Sequence, residues 1–269
     1  GTPLVARSKP LMLTPAGSVF LDAATNAIEA LHGAREQLQG SIPTLENNIR
    51  IAAGRTLAST FFPEWYEDSV DRFGFFTATL TTCNAEEGIL RLVAGEVDLL
   101  IAYSSPHTRL MIDHDRFDFL PIAREVLVPV SALDASGRAL YKLPGGKDPI
   151  PWLSFARALA LRTVLARHLA DLPQAPLLKP VCQADSYEAI LGMVKRRAGL
   201  AWLPGRLAKS DIERGELGIV GNASWRVGFD IALYRQRNRS HPVLDSLWAG
   251  LETSSHVAEQ DASDAAQSK

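Results

Sequence analysis

Polar and hydroxyl side chains gather where short β-rich runs give way to helical stretches, a placement suited to gripping a small ligand. Arg55, Thr56 and Ser59 follow the first such run, Cys83 and Asn84 follow the second, and Tyr103 lies just past the third. Further along, Ser186 and Tyr187 open a helix, while Trp152, Ser154 and Arg157 offer an aromatic wall and a fixed cation. Free backbone N–H groups at a helix start, hydroxyls and the positive end of the helix dipole together favour a carboxylate or similar anion. The expected chemistry is reversible binding of a small polar or anionic effector. Thr56, Ser59 and Ser186 equally suit ordinary N-caps, and Arg157 a solvated surface position, because caps occur at every helix.

Patterns for covalent or metal chemistry are missing from the sequence. It has no GxSxG, HExxH, GxGxxG or GxxxxGK arrangement, and Gly145-Gly146-Lys147 lacks the earlier glycine of a phosphate loop. His107, Asp113, His114 and Asp115 share a polar loop without the repeated spacing of a ligand set, so neither a metal nor another cofactor is expected. Cys83 and Cys182 stand far apart and make no CxxC unit or disulfide framework. Each reads as a small buried hydrophobe or as a thiol that meets oxidants. The chain reads as a non-enzyme.

The elements that must position these residues follow from periodicity. Beyond Asn47, β-rich runs alternate with helical stretches, which predicts parallel sheets with crossover helices. Strands are expected at 49–53, 77–82 and 97–102, with helices at 59–73 and 86–93. The apolar run 119–130 reads as one extended strand passing from one lobe to another. Then come a strand near 152–153, a helix at 157–169, a strand at 179–183 and a helix at 187–196. Strands at 200–203 and 227–234 and a helix at 242–252 finish the pattern, and the Ser-, Ala-, Asp- and Gln-rich residues 254–269 read as a disordered tail. In such a two-lobed α/β protein the ligand lies beyond the carboxyl ends of the strands, where the lobes face each other.

The N-terminal segment carries a different signal. Leu11-Met12-Leu13 is a short apolar run behind the basic pair Arg7 and Lys9, and Thr14 with Pro15 suits an N-cap and first helical position. Phe20, Ala24, Ala27, Leu31, Ala34 and Leu38 then recur at alternating spacings of four and three, the seam of a coiled coil. An amphipathic helix packed on its own domain would give a similar stripe over so short a stretch. Gly40, Ser41 and Pro43 end the helix and mark a hinge.

Bulk properties bound the choices. At 269 residues the chain can hold more than one core. It is 46% hydrophobic and 22% charged with a net charge of −2, so it lacks the broad basic field of non-specific nucleic-acid binders, and any DNA contact must be local. No apolar run approaches the ~18 residues of a membrane span, and the first residues lack a signal-peptide pattern, which predicts a cytoplasmic protein without membrane contact.

Three stretches resemble the LysR-type transcriptional regulators. Residues 1–17 resemble the wing and helix start that reads G-x-x-L-F-x-R … L-T-x-x-G, with Val5 where Phe is usual. Gly95-Glu-Val-Asp-Leu-Leu-Ile101 is similar to the family's G-x-x-D-hydrophobic signature, and SYEAILGMVKRRAGLAWLP, from Ser186 to Pro204, to the helix–turn–strand of its second lobe. The wording of RIAAGRTLASTFFPEWY and GLAWLPGRLAKSDIERGEL is similar to the hypochlorite-responsive regulators. Their sensor methionines would fall at Ser69, Leu161 and Tyr187, whereas Met12, Met111 and Met193 lie elsewhere, so a methionine switch is not expected. Arg196-Arg197-Ala198 stands where the family carries a turn glycine.

The resemblance implies an α/β fold of two Rossmann-like lobes, similar to periplasmic binding proteins, preceded by a linker helix and the remnant of a winged helix-turn-helix. It divides the chain into a wing remnant (1–14), a dimerisation helix (15–40), a hinge (41–48), lobe I (49–127 and 239–253), lobe II (128–238) and the tail. Arg7 and Lys9 would touch DNA backbone, and Phe20, Ala24, Ala27, Leu31 and Leu38 would join a homodimer or homotetramer. The recognition helix would lie before Gly1, so DNA is a partner of the full-length protein. The implied function is an effector-responsive regulator; the alternative is a two-lobed solute-binding protein without DNA binding.

Overall fold

A computed structural model gives the structure of the protein and describes residues 2–6, 12–21, 23–24, 27, 31, 47–105, 116–237, 239 and 241–267. Near the start, β1 (Val5–Ala6) and β2 (Met12–Leu13) pair antiparallel. A helix begins directly afterwards at Pro15. The Thr14 hydroxyl accepts from the Gly17 N–H at 3.0 Å and donates to the Pro3 carbonyl at 2.7 Å, capping the helix and tying it to the hairpin. A side chain at Gly17 would overlap the Leu4 carbonyl, which explains the Thr-x-x-Gly spacing. Arg7, Lys9 and Leu38 lie outside the described residues.

Two βα units follow. β3 (Asn48–Ala53) leads into α1 (Arg55–Thr60) and α2 (Phe62–Phe73), β4 (Thr77–Thr82) into α3 (Ala85–Val93), and β5 (Leu99–Ser104) closes the set. The single helix expected over 59–73 is divided at Phe61, because Pro63 has no N–H to continue the ladder across this point. β6 (Phe117–Ala132) is one uninterrupted strand of 16 residues. The second lobe adds β7 (Ile150–Phe155), α4 (Leu161–Asp171), β8 (Leu178–Ala184), α5 (Tyr187–Lys195), β9 (Ala201–Pro204), α6 (Gly205–Glu213) and β10 (Leu217–Ile219). β11 (Val227–Gln236) then returns to the first lobe and α7 (Pro242–Gln267) packs on it.

The main sheet has the order β10-β6-β11-β5-β3-β4, with β9 also paired to β6. β3 is parallel to both β4 and β5, and β7 is parallel to β8, as consecutive crossover units require. The expectation of purely parallel sheets fails elsewhere. β11 re-enters from the second lobe and inserts antiparallel between β5 and β6, and β9 and β10 meet β6 antiparallel as well. Both faces of the shared strands are covered, which is why β5 is buried along its whole length. Trp202 anchors the second lobe, fully buried with its indole N–H donated to the Trp225 carbonyl at 2.8 Å.

Three local features depart from the sequence expectation. α6 and β10 are additional elements. α6 hides its inward face in the sequence because Asp211, buried against Lys195 and Arg214, stands where an apolar residue would mark the stripe. α7 continues to Gln267 instead of stopping near Glu252, since no Gly or Pro intervenes after Gly250 in an Ala-rich stretch.

The turn after α5 keeps its left-handed form without glycine. Arg197 has φ +65°, its N–H reaches the Val194 carbonyl at 2.8 Å, and the Ala198 N–H reaches Met193 at 3.1 Å. A non-glycine residue in this region carries strain of about 1 kcal/mol. Arg197 is exposed, so Arg197→Gly relieves this strain against a glycine entropy cost of about 0.4–1 kcal/mol and is expected to raise stability by about 0.5 kcal/mol at most in chemical denaturation. A destabilised variant would mean that the arginine side chain holds the turn.

The family-like Gly95-x-x-Asp98 stretch is a structural clip. Gly95 has φ +67° and ends α3, and its carbonyl accepts from Arg239 Nη1 at 2.7 Å. Asp98 is 4% exposed, and its carboxylate accepts from the Arg50 N–H at 2.9 Å, Nε at 3.0 Å and Nη2 at 2.8 Å. Burial pushes its pKa upward, but the hydrogen bonds and charge of Arg50, with Arg239 nearby, pull harder and leave it below the ordinary carboxylate value.

Candidate ligand-binding crevice

Helix starts from both lobes converge on a cavity of about 360 Å³. One wall comes from residues 54–57, 82–85, Glu87 and 100–103; the other comes from 158–160 and 185–188. The chain reaches this point from both sides because β3, β4 and β5 end there and α1, α3 and α5 begin there. Arg55, Thr56, Cys83, Asn84, Tyr103, Ser186 and Tyr187 all line it.

The caps explain how these side chains are held. Asn84 accepts from the Glu87 N–H at 2.8 Å at the start of α3, and Ser186 accepts from the Ala189 N–H at 3.2 Å at the start of α5. Thr56 is 3% exposed and uses its hydroxyl differently: it donates to Glu188 Oε1 at 2.6 Å, while Ser186 donates to Glu188 Oε2 at 2.7 Å. One carboxylate thus receives a hydroxyl from each lobe. Burial raises the Glu188 pKa, yet the Thr56 and Ser186 hydrogen bonds, its own backbone N–H and the Arg55 charge outweigh this and hold it below the ordinary value.

Glu188 was not among the residues expected to form the site. In sequence it is an acidic residue in the first turn of a helix, a position filled routinely to complement the helix dipole. The Ser186-x-Glu188 pairing is the signal that could have found it.

Tyr103 is 8% exposed and packs edge-on against Phe229 at 5.1 Å and Tyr187 at 6.2 Å. Its hydroxyl has no hydrogen-bond partner among the described residues. Tyr187 accepts from the Leu161 N–H at 3.3 Å. Burial raises both phenols, so both stay protonated near neutral pH. Burial, aided by Glu87 and opposed by Arg91, also pushes the Cys83 thiol up, the opposite of a thiol poised for oxidation.

Ser59, Trp152, Ser154 and Arg157 do not line the cavity. Ser59 lies in the last turn of α1, and its hydroxyl donates back to the Arg55 and Thr56 carbonyls. Trp152 and Ser154 line a separate open groove with Phe155, Arg162 and Cys182. Arg157 is exposed on the turn before α4. His107, Asp113, His114 and Asp115 lie outside the described residues, among which no helix is long and apolar enough to cross a membrane.

The family model for the LysR substrate binding domain matches residues 44–254. The HTH-type transcriptional regulator YjiE of Escherichia coli strain K12 is 22% identical over 242 residues, covering 90% of this chain and 77% of that protein. DarR of Vibrio fischeri, solved in complex with DNA, superposes with a TM-score of 0.65 at 24% identity over 92% of this chain and 82% of its own. The bromide-bound regulatory domain of HypT from Salmonella typhimurium gives 0.63 at 19% identity over 79% and 97%. With the match running from before β3 into α7, across both lobes of a periplasmic-binding-protein-like fold, the chain belongs to the LysR substrate-binding domain family.

Proposed function

We propose that this chain is the effector-binding part of a LysR-type transcriptional regulator, which reads a small polar molecule between its lobes and passes the result to DNA-binding arms through oligomer geometry. The observation that carries this reading is the crevice itself, lined from both lobes and bridged by Thr56, Glu188 and Ser186. Occupancy there changes how the lobes are tied. Lobe I comprises 49–127, the returning strand β11 and 239–253, and lobe II the residues between β6 and β11. The helix from Pro15 joins chains into a homodimer or homotetramer, and it presents Phe20 and Leu31 to solvent. The protein acts in the cytoplasm and carries out no catalysis.

Within the family the chain stands nearest the hypochlorite-responsive group, on the wording of the stretches beginning at Arg50 and Gly199. It works without a methionine switch: Ser69, Leu161 and Tyr187, where sensor methionines would fall, are buried at 0%, 1% and 5%.

The test is a metabolite library screened by thermal shift against the wild type and Ala158→Trp. Ala158 lines the cavity yet is exposed, so tryptophan fills the space at a stability cost of about 0.5 kcal/mol or less. A ligand at 100 times its Kd stabilises the wild type by about 2.7 kcal/mol, and this gain is expected to vanish in the variant. Hits that stabilise both proteins equally would move the effector site elsewhere.

Residues 1–269 alone are also expected to show no sequence-selective DNA binding. Arg7 and Lys9 can meet only one or two phosphates, and base readout needs a recognition helix. Fluorescence anisotropy on specific and scrambled duplexes checks this; selective binding would place a reading element inside the chain.

A further inference from the structure

The charges around the crevice favour a cation, although its helix starts suit an anion. Two of the three helix starts already carry the protein's own acids, Glu86 and Glu87 in the first turn of α3 and Glu188 in the first turn of α5, while α1 has none and begins with Arg55. Among the lining residues, Glu87, Asp185 and Glu188 are acidic and Arg55 alone is basic. Glu87 is neutralised by Arg91, with Nη2 to Oε1 at 2.8 Å. The Asp185 carboxylate has no hydrogen bond or ion pair among the described residues. The Tyr103 hydroxyl, on a side chain more than nine-tenths buried at the cavity wall, is likewise without a partner and can accept a hydrogen bond from an N–H.

An incoming carboxylate would meet Glu188 at the two hydroxyls it needs and would have to displace that side chain from both lobes. An ammonium group meets the reverse situation. Glu188 is held ionised by Thr56 and Ser186, and a carboxylate oxygen has a second lone pair to give. We infer that the crevice binds a small molecule bearing a primary ammonium group, with Glu188 and Asp185 as its counter-charges, Tyr103 as acceptor and Leu100, Ala102 and Leu159 against its apolar portion. This rests on the crevice being the effector site. The ammonium then lies at the carboxylate that ties the lobes, which couples its charge to their closure.

The experiment compares n-butylammonium with butyrate, matched in size and opposite in charge, at millimolar concentration and constant ionic strength. Affinities are read by thermal shift and by NMR titration on the wild type, Glu188→Gln, Asp185→Asn and Ala158→Trp. The expected result is binding of butylammonium and none of butyrate by the wild type. Affinity should fall tenfold or more in Glu188→Gln, fall less in Asp185→Asn and disappear in Ala158→Trp. Asp185 is exposed and precedes α5, so Asp185→Asn keeps the question open should Glu188→Gln fold poorly. Binding of butyrate in place of butylammonium, abolished by Ala158→Trp, would overturn the ammonium assignment and leave the crevice as the site. Butylammonium binding unaffected by Ala158→Trp would overturn the assignment together with the site. No response to butylammonium would overturn the assignment as well.

Discussion

Asp98→Ala is expected to destabilise the fold by about 3 kcal/mol, at the low end of the ~3–5 kcal/mol seen when one partner of a buried ion pair is removed. The low end applies because the Arg50 side chain remains 32% exposed and can regain water, whereas the Asp98 side chain is 2% exposed. The loss has three parts: the Arg50 N–H loses an acceptor, the guanidinium loses a two-point contact, and Arg239 loses a nearby counter-charge. Asp98→Asn should fall between, since an amide can still accept one or two of these bonds.

The same site sets an acid limit. The folded pKa of Asp98 is depressed, so its contribution is complete above the unfolded value of about 3.9 and is lost as pH falls through the folded value. Denaturant titrations at pH 7 and below pH 4 should show the gap between wild type and Asp98→Asn narrowing in acid. A constant gap would mean that the aspartate contributes through packing and not through charge.

Leu31→Glu is expected to dismantle the assembly. Leu31 is 72% exposed and Phe20 59% exposed in the single chain, on a helix whose described residues leave an apolar stripe facing water. Exposure of that kind at alternating spacings of four and three fits a partner helix. A carboxylate at position 31 would be buried in a dry seam, costing several kcal/mol unless it takes up a proton or the helices part. Sedimentation should show a shift from dimer or tetramer toward smaller species, with the melting of the α/β body unchanged. An unchanged assembly would mean that the stripe packs elsewhere and that self-association uses another surface.

Local chemistry was legible in the sequence wherever one residue decides the outcome. Thr14 and Pro15 announced a helix start, Ser186 announced another, and the apolar run in β6 announced a strand crossing between lobes, whereas Thr56 and Ser59 suited caps that they do not form. The crevice was readable only in part. Thr56 and Glu188 meet across 132 positions, and neither residue type betrays the other in sequence. Trp152 and Ser154 were misplaced because no residue of β7 lines the cavity, and the sequence does not say how far a strand's end stops short of it. At Arg197 the type of residue argued against a left-handed turn, yet the backbone bonds after α5 impose one.

The pairing of β6 with β11 has a mechanical consequence. It runs from Phe117 opposite Gln236 to Leu127 opposite Val227, broken only by an irregularity at Ile231 and Ala232. The lobes are therefore coupled by a hydrogen-bonded ribbon, and a loop hinge is not what separates them. Separating the lobes would mean breaking this ladder, so the ribbon holds them in register, and the irregularity is the one place along it where the regular hydrogen bonding is already interrupted.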